Sequence, residues 1–153
     1  MLATSILQTP PPLVHTMLER ALAAGVPATW VTGDAGYGHD RTWRLGMASW
    51  PQAYVMAVPV NEPVWRGFQQ LRVPWLIARA RGQRLAAPER RGRGQGAAAI
   101  RRGSDPRPPL PPGWCRWGLA RCSLEAPTDL AYDVDYAPES TPLVAMVRAA
   151  GSR

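Results

Sequence analysis

The sequence predicts an α/β fold, and three observations carry that expectation. Apolar residues recur at helical spacing just after a proline-rich start. Two short β-branched and aromatic runs follow, separated by a further helical segment. Near the other end, apolar and polar residues alternate with a period of two. Helix and strand in alternation point to parallel strands layered against helices. At 153 residues the chain can bury one core and is short for two.

Taken in order, the first element is a helix over 13–24, with Leu13, Met17, Leu18, Ala21 and Leu22 as its apolar face. Gly25 supplies the left-handed stop, and Pro27 prevents the helix from resuming. Ala28 to Thr32 reads as a short buried strand that ends in a turn at Gly33-Asp34. His39 to Ser49 forms a second helix, and Ala53 to Val58 a second buried strand closed by Pro59.

Beyond this point the pattern decays. Arg84 to Pro112 contains many Arg, Pro and Gly and no aromatic residue. Such a segment buries too little apolar surface to offset its chain entropy, so it is expected to be a disordered linker over 84–112. Order resumes with a strand over 114–124. Leu130, Tyr132, Val134 and Tyr136 then alternate with Ala131, Asp133, Asp135 and Ala137, which puts the acids on a wet face. A last amphipathic helix over 141–150 ends at Gly151.

Composition bounds the partners. The net charge is +7, and all 18 basic residues are arginine, which reflects GC-rich codons as readily as selection for guanidinium chemistry. A basic balance favours polyanions. Cys115 and Cys122 are too few for a disulfide framework and, with His15 and His39 remote, do not suggest zinc. Without a leader-like start or a spanning apolar run, the expectation is a cytoplasmic protein with no membrane partner.

The informative stretch is Trp30-Val31-Thr32-Gly33-Asp34-Ala35-Gly36-Tyr37-Gly38. It sets a carboxylate at the C-terminal end of a strand, where open α/β sheets gather ligands. The glycines keep the loop free of bulk. The same pattern also suits an ordinary helix cap.

The residues from Met17 to Pro59, with Trp-Val-Thr-Gly-Asp, Tyr-Gly and Tyr-Val-Met-Ala-Val-Pro, closely resemble insertion-sequence transposases of the DDE superfamily. A second block follows in the same order: Gly113-Trp114-Cys115-Arg116-Trp117, Pro127 to Tyr132, and Val147 to Arg153. The resemblance implies a partial RNase H-like fold, with helices packed on a mixed sheet. It divides the chain into a partial catalytic domain over 1–83, the linker over 84–112, and further strands and a helix of the same domain over 113–153.

The resemblance further implies DNA as substrate, specifically insertion-sequence ends, and full-length transposase as a protein partner. It makes Asp34 the second acid of an Asp-Asp-Glu triad and a ligand of Mg²⁺ in two-metal phosphoryl transfer. By the same resemblance the first acid falls upstream of this sequence and the Glu just beyond it, so the chain is expected to be inactive alone. Asp40, Asp133, Asp135 and Glu139 are substitutes by chemistry only, and Asp133 and Asp135 read as a solvated face.

The alternative is a noncatalytic basic nucleic-acid-binding protein, or a remnant that interferes with transposase. Its weak candidate residues are Arg90, Arg91, Arg93, Arg101 and Arg102, which lack interleaved aromatics for stacking. Codon degeneracy also permits the adjacent frame to encode Gly-Lys-Gly-Pro-Arg-Leu-Tyr-Asp around Gly94 to Arg102. Two compensating frameshifts would then account for the linker's composition, and the nucleotide sequence decides this. Trp30, Trp43, Trp50, Trp65 and Trp75 read as core residues in preference to DNA-stacking platforms.

Overall fold

The computed structural model describes residues 11–66, 68–79, 95–101, 110–123 and 129–151. Helix α1 (Pro11–Ala23) starts on prolines, whose missing N–H groups cost nothing in a first turn. Gly25, at φ +80°, ends it. Val26 N donates to Ala21 O and Gly25 N to Leu22 O, which closes the last carbonyls. The inward face differs from the expected one: Val14 and Leu18 pack on the core, while Leu13 and Met17 are exposed. His15 joins them, its ring 4.4 Å from that of Trp50 and edge-on to Trp43 at 5.7 Å.

Strand β1 (Trp30–Gly33) leads into a one-turn helix α2 (Ala35–Gly38), then α3 (Arg41–Ala48). The single helix expected over 39–49 thus begins two residues late, because Asp40 caps α3 by accepting from Trp43 N at 3.0 Å. Strand β2 (Ala53–Val58) pairs parallel with β1, as the helix–strand alternation implied. Gln52 Nε2 donates to Ala28 O and Thr29 O and so fixes the start of that pairing. β1 is half-buried, not fully buried as expected, because it lies at the sheet's edge.

The stretch where the sequence pattern decays forms a hairpin, β3 (Pro63–Arg66) with β4 (Gln69–Arg72), followed by α4 (Val73–Arg79). Gln95–Arg101 forms strand β5, so this part of the segment expected to be disordered is instead ordered. The physical reason is pairing: β5 adds antiparallel to β6 (Trp114–Ser123), which satisfies the backbone groups along one of its edges although Ile100 is its one large apolar residue. The rest of that segment up to residue 109 lies outside the described residues. Strand β7 (Leu130–Pro138) and helix α5 (Leu143–Gly151) complete a mixed five-stranded sheet in the order β1-β2-β7-β6-β5.

Helices cover both faces of this sheet. On one, Tyr54, Met56, Val134 and Tyr136 meet Trp43, Met47 and Ala48 of α3 and Val73 of α4. The Tyr136 ring stacks between Tyr54 at 5.6 Å and Trp114 at 4.8 Å, and its hydroxyl donates to Ala48 O. On the other, Val55, Trp117, Leu119 and Ala137 lie under Leu143, Met146, Ala149 and Ala150 of α5.

That second cover corrects the reading of the strand acids as a solvated face. Asp133 and Asp135 are 0% exposed. The alternation along β7 was real, but it separates two buried faces instead of a wet and a dry one. Asp133 survives there because Arg121 Nε donates to its Oδ2 at 2.6 Å. Asp135 lies level with Val55 and Trp117 across the neighbouring strands.

Asp133→Asn leaves the half-buried Arg121 without its counter-charge and is expected to cost about 3 kcal/mol in urea unfolding. Burial raises the Tyr136 phenol above its ordinary value near 10, with Tyr54 adding to the rise and Arg116 opposing it. The raised folded-state value means that this contribution to stability is fully present below about pH 10. It is lost as pH climbs through the folded value, and Tyr136→Phe should flatten that alkaline fall in melting temperature.

Candidate functional site

The site is built where β1 and β2 end. Strand β1 delivers the chain to Asp34, whose extended backbone makes it the N-cap of α2. Its Oδ1 accepts from Gly36 N at 2.9 Å. Asp34 is exposed, so both sequence readings describe the same residue: it caps a turn and also presents a carboxylate to solvent.

The Tyr37-Gly38 step that follows has a packing cause. Gly38 is buried against β2, and a Cβ there would collide with the carbonyl oxygen of Ala57. Only glycine lets the α2 backbone approach the strand so closely. Tyr37 packs on the adjoining core and lies 6.4 Å from Trp43 between ring centres.

One guanidinium then fixes this turn from beneath. Arg44 of α3 is buried; its Nη1 donates to Gly38 O, and its Nη2 pairs with Glu62 Oε1 at 2.8 Å. Glu62, also buried, closes the turn after β2 through its N–H to Pro59 O. Sequence reasoning passed over both residues. The available signal was an arginine within a helix whose neighbours Trp43 and Met47 are apolar.

The other candidates are scattered. Asp40 is occupied as the cap of α3. Asp133 and Asp135 lie within the sheet, enclosed on the α5 side. Glu139 is exposed beyond β7. No group of three His, Cys, Asp or Glu able to hold a metal occurs among the described residues. Asp34 has hard oxygens suited to Mg²⁺, but one exposed carboxylate does not fit a two-ion centre, which needs several fixed acids.

Of the arginines proposed for nucleic-acid contact, Arg90, Arg91, Arg93 and Arg102 lie outside the described residues, and Arg101 ends β5. Cys115 and Cys122 are not joined in a disulfide, and one is buried and the other partly so. Among the tryptophans, Trp43 is core and Trp30, Trp50 and Trp65 are half-buried. Trp75 departs from the core reading at 59% exposure. No helix among the described residues is long and apolar enough to cross a membrane.

Gly38→Ala should destabilise the protein by about 3 kcal/mol or more in urea unfolding, since rigid backbone must yield. Gly151→Ala, with open space around it, should change stability by less than about 0.5 kcal/mol.

Comparison with known proteins gives one family. The family described as DDE superfamily endonuclease matches residues 3–104. The match takes in Asp34, its loop, the Arg44–Glu62 pair and the hairpin, while β6, β7 and α5 lie beyond it. No curated protein and no solved structure matches the chain.

Proposed function

The chain belongs to the DDE endonuclease superfamily, and on that premise we propose that it is part of a DNA transposase, with Asp34 as one of the acids of its metal centre. The observation that carries this reading is the placement of Asp34. An exposed carboxylate stands at the C-terminal end of a strand, on a turn held by Gly38 and Arg44, within the matched segment. Strand ends of this kind gather ligands in open α/β sheets. Family membership points to a nucleic-acid substrate, and the net charge of +7 suits DNA in that place. The finer assignment, to transposition of an insertion sequence with Mg²⁺ as the bound ion, rests on the motif resemblance around Asp34.

The absence of a three-ligand group among the described residues favours a second reading of what this chain does by itself. It contacts DNA, or a complete copy of the enzyme, without cutting. Among the described residues, no further acids join Asp34 in a two-ion site.

Incubated alone with supercoiled plasmid and Mg²⁺, the chain is expected to leave the plasmid intact. Nicking that disappears in Asp34→Asn would overturn the noncatalytic reading. Weak Mn²⁺ association followed by electron paramagnetic resonance should drop severalfold in Asp34→Asn, which retains a capping side chain. Equal binding by both proteins would remove Asp34 from the metal role. DNA affinity should fall steeply with salt, by about 0.9 log units per log unit of salt for each phosphate contact. No measurable affinity at low salt would dismiss DNA as the partner.

A further inference from the structure

We propose that the outward face of the β3–β4 hairpin seats the sugar–phosphate backbone of duplex DNA, with the guanidinium groups of Arg41 and Arg72 each set on a phosphate. This rests on the reading of the chain as a DNA-acting protein and adds to it a surface, two residues and a mode of contact.

The hairpin has two unlike faces, because directly opposed residues of an antiparallel pair share a face and successive residues alternate. Val64 is paired with Leu71, and both pack on the core. The pairs Pro63–Arg72 and Trp65–Gln70 therefore stand on the other face, where Pro63, Gln70 and Arg72 are exposed. Arg41, the exposed first residue of α3, lies over the Trp65 ring, its guanidinium carbon 6.0 Å from the ring centre. That is within cation–π range and orients an otherwise flexible side chain. Arg41 is thus set beside the rung of Trp65 and Gln70. Arg72 belongs to the next rung of the same face, two residues or roughly 7 Å along the strand.

The charge on this face is uncompensated. Between Arg41 and Pro88 the one acid in the sequence is Glu62. It is buried and paired with Arg44, so it offers nothing to Arg41 or Arg72. Asp40, next to Arg41, is turned inward as the cap of α3 and accepts from Trp43 N. Two exposed guanidinium groups beside the neutral amide of Gln70 complement a polyanion, since each phosphate neutralised releases counterions. Arginine suits phosphate beyond its charge, because its planar fork donates twice to one group. Arg41 covers the Trp65 ring, so this face offers charge and an amide, which grip the backbone and do not read bases. For such a contact the duplex is the stronger ligand. It carries about one charge per 1.7 Å of axis, twice the density of a single strand.

This face is also mechanically tied to Asp34. Helix α3 meets the hairpin twice, through Arg41 on Trp65 and through Arg44 on Glu62, which leads directly into β3. Arg44 also donates to the Gly38 carbonyl in the turn after Asp34. A duplex seated on the hairpin is therefore held against the same unit that presents the carboxylate.

The test is fluorescence anisotropy of a labelled short DNA duplex with the full chain, repeated over a series of salt concentrations. Arg41→Gln and Arg72→Gln should each weaken binding severalfold at low salt and lower the salt slope by about 0.9, the loss of one phosphate contact. Arg41→Lys and Arg72→Lys keep the charge and should keep the parent slope. Arg148→Gln, at an exposed position of α5 on the opposite side of the sheet, should leave the slope unchanged. A duplex of different sequence should show the same losses. Trp65→Leu should weaken binding in the parent chain and add nothing in Arg41→Gln, as expected of a positioning residue that acts through Arg41. Parent slopes in both glutamine variants, or an equal loss in Arg148→Gln, would overturn the proposal while leaving the DNA reading intact. If Trp65→Leu does not fold, the arginine variants, all at exposed positions, decide the matter. Polyglutamate bound as tightly as the duplex, and lost in the same variants, would assign the face to acidic proteins and overturn it. Failure of the parent chain to bind any DNA would remove the underlying reading and this proposal together.

Discussion

The backbone of α2 must pass against β2 with nothing between them, and much of the site depends on that approach. Because Gly38 has no side chain, its carbonyl comes within reach of Arg44, rooted in the following helix. A buried guanidinium is costly without a counter-charge. Glu62 supplies one from the turn after β2, so the requirement propagates from the loop of Asp34 to the base of the hairpin. The turn of α2 and the turn after β2 are held by hydrogen bonds to a single planar group that is rooted in a third piece of chain, α3. The fork geometry of arginine suits this role, since its donors are fixed in one plane and cannot each be satisfied in arbitrary directions.

The elements legible in the sequence were those whose signal is local. Gly25 after an apolar helical stretch, and the β-branched runs ending at Gly33 and Pro59, gave boundaries close to those of α1, β1 and β2. The parallel pairing of β1 with β2 followed from the helix between them. What escaped was set by contacts between distant segments. The alternation along β7 identifies two faces, but only the later helix α5 determines that the face of Asp133 and Asp135 is dry. Similarly, Gln95–Arg101 has Ile100 as its one large apolar residue, and its order comes from an open edge of β6 that local sequence does not announce.

The candidate site was legible in the same uneven way. Asp34 and its glycine-rich loop could be singled out because a strand end followed by small residues is a local pattern. Arg44 and Glu62 could not, since an ion pair across 18 positions leaves no periodic trace in either neighbourhood. Trp75 misled for a related reason. Aromatic residues are mostly found inside, and the burial of Trp43 obeys that rule. Trp75 stands on α4, a short helix that follows a stretch without clear strand alternation, so no local pattern marks it as outward-facing.

The order of strands in the sheet also sets a timetable. Strand β2 reaches its second neighbour, β7, only after most of the chain has been made; Tyr136 and Ala48, joined by a hydrogen bond, stand 88 positions apart. At ribosomal rates of roughly 5–20 residues per second, that interval lasts on the order of 5–20 seconds. Throughout it, β2 has one unsatisfied edge and its aromatic face lacks the Tyr136 and Val134 that later cover it. Pairing of this range is slow to nucleate, because the chain loses loop entropy before any contact compensates. The nascent protein is thus at its stickiest just when the segment carrying Asp34 has already emerged, and its yield in a cell is governed by how well that interval is shielded.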